Sequence, residues 1–385
     1  MKTFLKGTSA FAVVALCAGA GGAQAQTNWT LTLGGYYYGL AVIRNQDNPP
    51  GSDPRDYDFN QYGKYILTGS NELDNGLIFG FDTRYEMTNG FNSYSQKLFT
   101  EGGFGHGELG TDFSAAYNSH LWPPAAGWGF DDPDQYDVYL PTNGLYSPGA
   151  TQVPTTTPYL TNRYMKVTYY TPRIGGFQGG VSFTPDTRTP TGSSGPFVGQ
   201  NNRFITDEND LDQFKNAVSG ALNYEGEFGD LTVSLAGGVE WAKSTGTLKS
   251  SLVDARSHRT VYTASSNFGY GDWAFGVAYG YDDFGTDDYR QHNFASGLTY
   301  TFDSFTVGPG FGFIIEKGNG YNPDGSTYNK RKTWLGELGA RYTLTEGVDL
   351  IGSVWYAKFD KGSGTDGSAK NGDALAGIFG VMLNF

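Results

Sequence analysis

Apolar side chains recur at every second position through much of this chain, and that period admits extended strands with one apolar face and excludes amphipathic helices. Between 231 and 241 the apolar set is Leu231, Val233, Leu235, Val239 and Trp241, with Thr232, Ser234, Ala236 and Glu240 on the other face. Between 273 and 281, Trp273, Phe275, Val277, Tyr279 and Tyr281 oppose Ala274, Gly276, Ala278 and Gly280. Trp334, Leu338, Tyr342 and Leu344 oppose Thr333, Glu337, Arg341 and Thr343, and the chain closes on Leu375, Phe379, Val381, Leu383 and Phe385. No run of about 18 apolar residues occurs, which excludes transmembrane helices. A transmembrane barrel passes this test, because alternating lipid-facing and lumen-facing residues keep its average hydropathy low. The 57 glycines, 27 tyrosines and 27 phenylalanines fit a barrel, but a secreted β-sandwich or propeller would share them, so composition does not decide.

The lengths of the connections decide. Short turns at 70–76, 101–105, 173–176, 225–230, 269–272, 303–304 and 345–348 alternate with long polar segments at 45–56, 111–161, 186–214, 242–257, 282–290, 317–329 and 360–372. Short turns at one end and long loops at the other are the layout of outer-membrane barrels. Two strands flank each short turn and one stands at each terminus, which predicts an all-β antiparallel barrel of about 16 strands. Such a barrel leaves an aqueous lumen, with both chain ends on the periplasmic side. The longest connection, 111–161, carries Trp122, Pro123, Pro124, Trp128, Phe130, Tyr136 and Tyr139. Its aromatics call for packing, and the lumen wall is the surface on offer.

Lys2 and Lys6 precede an apolar run from Ala10 to Ala18 that ends in Ala23-Gln24-Ala25, so residues 1–25 read as a signal peptide and 26–385 as the barrel domain. The only cysteine, Cys17, falls inside the leader, leaving no thiol for a disulfide or a metal site. The formal charge is −13, and loss of Lys2 and Lys6 makes the remainder more negative still. Nucleic acid is therefore not an expected partner, since phosphate contacts need clustered cations.

Three stretches resemble the general diffusion porins of Gram-negative bacteria, in particular those of alphaproteobacterial type. Thr68-Gly69-Ser70-Asn71-Glu72-Leu73-Asp74-Asn75-Gly76-Leu77 resembles their first periplasmic turn. Gly102-Gly103-Phe104-Gly105 with Glu108-Leu109-Gly110 is similar to the strand leading into their constriction loop. Lys166-Val167-Thr168-Tyr169-Tyr170-Thr171-Pro172 with Gly175-Gly176-Phe177 and the following strand is similar to the pair after it. The resemblance implies a homotrimer of barrels in lipid and lipopolysaccharide, with the third long loop (111–161) folded inward. It also implies insertion by the barrel assembly machinery reading a C-terminal strand that ends on Phe385.

In that family, acidic groups on the inserted loop face basic groups on the opposite wall. The acidic candidates here are Glu108, Asp112, Asp131, Asp132, Asp134 and Asp137. Strand parity turns Arg44, Lys64, Arg84, Lys166 and Arg341 inward as basic candidates. Charged rings at a constriction select ions by sign, and the acidic excess points to a mild cation preference. Asp131, Asp132 and Asp134 could also offer oxygen ligands to Ca²⁺; no other cofactor is expected. Gly105 to Gly110 spells G-x-G-x-x-G without a βαβ setting. The histidines are scattered, and the nearest His/Ser pair, His292 and Ser296, is weak ground for an enzyme. The expected function is passive diffusion of small hydrophilic solutes and ions. A sugar-specific channel tracked by Tyr36, Tyr38 and Trp122, and a plugged barrel acting as adhesin or anchor, remain alternatives.

Overall fold

The computed structural model describes residues 29–47, 55–87, 93–129, 155–187, 214–245, 256–287, 289–321, 327–363 and 371–385. The strands in chain order are β1 Trp29–Gln46, β2 Tyr57–Glu72, β3 Ile78–Glu86, β4 Ser93–Gly102, β5 Gly105–Thr111, β6 Met165–Tyr170, β7 Phe177–Asp186 and β8 Phe214–Phe228. They continue as β9 Leu231–Ser244, β10 His258–Tyr270, β11 Trp273–Asp282, β12 Arg290–Phe302, β13 Phe305–Tyr321, β14 Thr327–Thr345, β15 Val348–Ser363 and β16 Gly372–Asn384. One short helix, α1 Ala115–Ser119, follows β5. Every strand pairs antiparallel with its sequence neighbours, and β16 closes on β1 with Gly39 opposite Val381. The closed ring leaves no open sheet edge, the condition for strands to cross hydrocarbon. Phe385 completes the seam: its carbonyl accepts from the Gly35 N–H at 2.8 Å, and its own N–H donates to the Gly35 carbonyl at 3.0 Å.

The alternation places each face. Val239 and Trp241 on β9, Val277 on β11 and Leu338 on β14 are exposed outward, while Glu240, Ala278 and Glu337 are buried inward. Aromatic rings flank the short turns, as a lipid interface requires. Trp273, Tyr300, Phe302, Phe305 and Tyr342 form one belt across β11–β14, with successive centroids 4.6, 5.9, 5.5 and 4.6 Å apart.

Two features depart from the sequence reading. The β3–β4 connection, 87–92, is too short to stand out by length although it lies at the long-loop end. The inner face is also not water-lined throughout. Leu40 and Val42, Ile351, Trp355 and Phe359, and Ile378 point inward from β1, β15 and β16 and form a buried apolar cluster with Tyr38 and Trp128. These strands carry apolar residues on both faces because part of the chain after β5 packs against their inner one.

Candidate functional site

The segment after β5 lies against the inside of the wall, and the wall is built to receive it. The first N–H groups of a helix lack intrahelical acceptors; in α1, Ala115 N–H donates to Ser182 Oγ of β7 at 2.8 Å and Ala116 N–H to Ser219 Oγ of β8 at 3.0 Å. Ser114 caps the helix through Tyr117 N–H. His120 then bridges Thr263 of β10 and Thr156 of the returning chain, at 2.8 and 3.0 Å. Leu121 N–H donates to Ser265 Oγ at 3.0 Å, and Asn267 Nδ2 donates to the Trp122 carbonyl at 2.9 Å. At the far side Trp128 N–H reaches Ser353 Oγ of β15 at 2.7 Å, and Gly129 N–H reaches Glu337 Oε1 of β14 at 3.0 Å. Ser353 Oγ donates to the same Glu337 oxygen at 2.6 Å, and the Trp128 ring meets Tyr38 edge-on at 4.6 Å.

Close approach also needs absent side chains. A Cβ at Gly297 would stand 2.0 Å from the Pro124 carbonyl oxygen, and one at Gly339 would stand 2.3 Å from the Gly127 nitrogen. The small-residue face of β11 and β12, visible in the sequence, is thus the bed of the inserted chain. The return passage, 155–164, is held by Glu240 of β9, which accepts from Leu160 N–H at 2.7 Å and Thr161 Oγ1 at 2.8 Å.

Glu108 and Asp112 sit at the root of the segment, both on Lys97 Nζ of β4 at 2.6 Å. Sequence reasoning passed over Lys97, although the outward Leu98 beside it gives the signal by parity. Lys166 is buried on β6 and turned onto backbone: its ammonium donates to the carbonyls of Asp112, of Asn162 at 2.8 Å and of Tyr164 at 2.7 Å. Lys64 is buried beside aromatic faces, with Nζ 3.3 Å from the Tyr94 centroid and 5.0 Å from that of Tyr62. Arg84 pairs with Asp82 at 3.0 Å, and Arg341 stands 4.0 Å from Asp349. Arg44, at the outer end of β1, donates from Nε to the Arg55 carbonyl at 2.9 Å. Lys64, Arg84 and Lys166 therefore share the β2–β6 side with Glu108 and Asp112, and of the five basic candidates only Arg341, on β14, lies across the ring. Asp131, Asp132, Asp134 and Asp137, and with them the Ca²⁺ ligand set, lie outside the described residues; so does the leader, 1–25.

Of the aromatics expected to form a track, Tyr36 and Tyr38 both pack on Tyr62, with Tyr38 buried under Trp128, whereas Trp122 stands apart on Tyr117 and His120 beside β10. His292 faces outward on β12 with Nδ1 2.9 Å from the Tyr279 hydroxyl, away from the lumen. Beside α1 a hollow of about 400 Å³ is lined by His106, Glu108, Asn118, Tyr170 and Asn223, polar groups suited to water.

A family model described as Gram-negative porin matches residues 12–362. The chain belongs to that family. As a porin it is an outer-membrane channel, which accounts for the closed barrel with a lined lumen. An anion-selective porin from Comamonas acidovorans is similar in fold, with 17% identity, TM-score 0.58, and coverage of 94% of this chain and 100% of that one. The trimer form of in-vitro folded OmpT, an outer membrane protein of Vibrio cholerae, has 12% identity and TM-score 0.55, covering 92% and 99%. An uncharacterized protein of Rickettsia bellii is 27% identical over 30% of this chain and 33% of its own length.

Proposed function

We propose that this porin is a passive, water-filled channel for small hydrophilic solutes and ions, mildly cation-preferring, and that it works as a homotrimer. The observation that carries the reading is the segment 112–129, fastened by backbone hydrogen bonds to polar side chains of β7, β8, β10, β14 and β15. An insertion held flat against the wall narrows a lumen, as size-limited diffusion needs. The charge preference is supported by the wall: Glu86, Glu240 and Glu337 accept hydrogen bonds from neutral donors, and Lys97 faces two carboxylates. Lys64, Lys166 and Arg163 stand against these on aromatic rings and carbonyls, and the chain's formal charge of −13 tips the balance toward cations. The trimer is supported by the trimeric form of the similar Vibrio barrel.

Reversal potentials across a KCl gradient in planar bilayers test the sign, and an anion-preferring potential refutes it. Liposome swelling with sugars of graded size should depend on size alone; saturation by one sugar would replace diffusion with a specific channel, and no swelling would mean an anchor. A heat-labile band of three-fold mass in detergent gels is expected for the trimer.

A further inference from the structure

The hollow beside α1 is bordered by two buried acceptors that the protein itself does not satisfy. Among the described residues, Glu108 Oε2 and Asn223 Oδ1 have no hydrogen-bond partner, and both residues line this cavity of about 400 Å³. Strand register fixes its height. Ser182 and Ser219 hold the helix N–H groups, whereas Gln178 and Asn223 stand opposite each other four residues nearer the short turns. His106 faces Glu101 one step from the β4–β5 turn. The hollow therefore lies on the short-turn side of the inserted segment, and its walls are fixed. Asn118 Nδ2 donates to the Tyr170 hydroxyl at 3.0 Å, and Asn223 Nδ2 reaches Ser119 Oγ at 3.4 Å. The His106 ring stacks on Phe99 at 5.6 Å and lies 6.2 Å from the Tyr170 ring.

An ionised carboxylate has room for about four hydrogen bonds. Glu108 receives two, from Lys97 Nζ at 2.6 Å and His106 Nε2 at 3.0 Å, and both fall on Oε1. Its side chain is only 8% exposed, and a buried charged acceptor without a donor is costly. The cations nearby are engaged elsewhere. Lys97 also closes on Asp112 at 2.6 Å, Arg173 lies on the Gly176 carbonyl at 2.7 Å and on Glu225 at 3.1 Å, and Lys166 holds three carbonyls. What the hollow lacks is a set of N–H donors carrying positive charge.

We propose that this hollow is a subsite for a small organic cation of the guanidinium class, entered from the lumen. The planar fork carries donors on more than one edge, which suits two acceptors on different strands. Its face suits the Tyr170 and His106 rings, and its weak hydration eases transfer out of bulk water. The cavity volume is at the small end of ligand sites, enough for an ion of a few heavy atoms. Bound there, the ion dwells on the short-turn side of the inserted segment, so a channel that otherwise sorts by size retains one class of solute. The inference rests on a water-filled lumen and is independent of the ion preference of the channel as a whole.

The test uses the full mature protein refolded in detergent, with ethylguanidinium as probe and ligand-observed NMR as the binding readout. Wild type should bind the probe saturably. Ethylurea has nearly the same shape without the charge, and tetramethylammonium has the charge without N–H donors; each should bind at least about tenfold more weakly. Asn223→Ala should weaken binding about fivefold and Glu108→Gln about thirtyfold, as loss of a neutral and of a charged acceptor predicts. Should E108Q fail to fold, N223A decides alone. Equal binding of ethylurea overturns the proposal by making the hollow a chamber for neutral polar solutes. Equal binding of tetramethylammonium overturns it in favour of attraction by the chain's net charge, and unchanged affinity in the variants places the probe elsewhere. Conductance in planar bilayers keeps the two readings apart: a barrel that binds the probe but does not conduct refutes the channel, and one that conducts without saturable binding refutes the subsite.

Discussion

The far anchor of the inserted segment offers the sharpest test of how the lumen is shaped. Glu337 is 5% exposed, and one of its oxygens takes both the Gly129 N–H at 3.0 Å and the Ser353 hydroxyl at 2.6 Å, while Ser353 holds Trp128 N–H. Hydrogen bonds to a charged acceptor contribute about 1.5–3 kcal/mol each. Glu337→Ala removes both and leaves buried donors unsatisfied, so we expect residues 126–129 to release from the wall more easily by ~3 kcal/mol, roughly a 150-fold rise in the local opening equilibrium. The proximal anchors on β7, β8 and β10 remain, so the barrel itself should fold. Amide exchange at Trp128 and Gly129 should accelerate by that factor, and the open-channel current should become noisier. Glu337→Gln keeps an accepting oxygen while removing the charge; it should shift ion selectivity away from cations with far less effect on noise. If E337A leaves exchange at 128–129 unchanged, the latch does not hold the segment and the reasoning fails.

Other sites give independent expectations. Lys97→Met leaves the nearly buried Asp112 without its ion pair and Glu108 with His106 alone; cation preference should increase, and the urea midpoint for unfolding should fall by an amount equivalent to about 3 kcal/mol. Gly297→Val puts a Cβ against the Pro124 carbonyl, where a backbone atom cannot swing away; the barrel should still assemble, with altered conductance and faster exchange of Leu121, whereas unchanged conductance would mean the wall does not seat the segment. Leu338→Arg sets a charge on the 64% exposed lipid-facing position of β14 and should cost about 2–4 kcal/mol in folding into vesicles, by reference to charges near the bilayer midplane.

The sequence revealed the barrel more fully than its lumen, and particular residues show why. Lipid imposes one requirement on every outward position, so Leu231, Val233 and Leu235 or Trp273, Phe275 and Val277 state their face without help from distant residues. The seven short turns follow for the same reason, since they fall where the alternation stops. The inner face answers to a different partner at each strand. On β15, Ile351, Trp355 and Phe359 read as apolar beside the equally apolar Leu350, Val354 and Tyr356, and only the inserted chain with Trp128 explains the inner set. The glycines Gly297 and Gly339 are legible as small, yet what they make room for is 173 and 212 residues away in Pro124 and Gly127. Charges are harder still, because parity gives a direction and not a partner. Lys166 points inward as its position requires, then spends its three donors on the carbonyls at the neck of 112–164. A lysine that fastens backbone is held by the fold and contributes a fixed positive charge at the loop root. Lys166→Met should therefore loosen Asp112 and Tyr164 together, seen as faster amide exchange on both sides of the neck; Lys166→Arg, which keeps the charge but cannot reproduce three converging bonds from one nitrogen, should restore selectivity without restoring that protection. Recovery of both by Arg would show that charge alone, and not the three-carbonyl geometry, sets the neck.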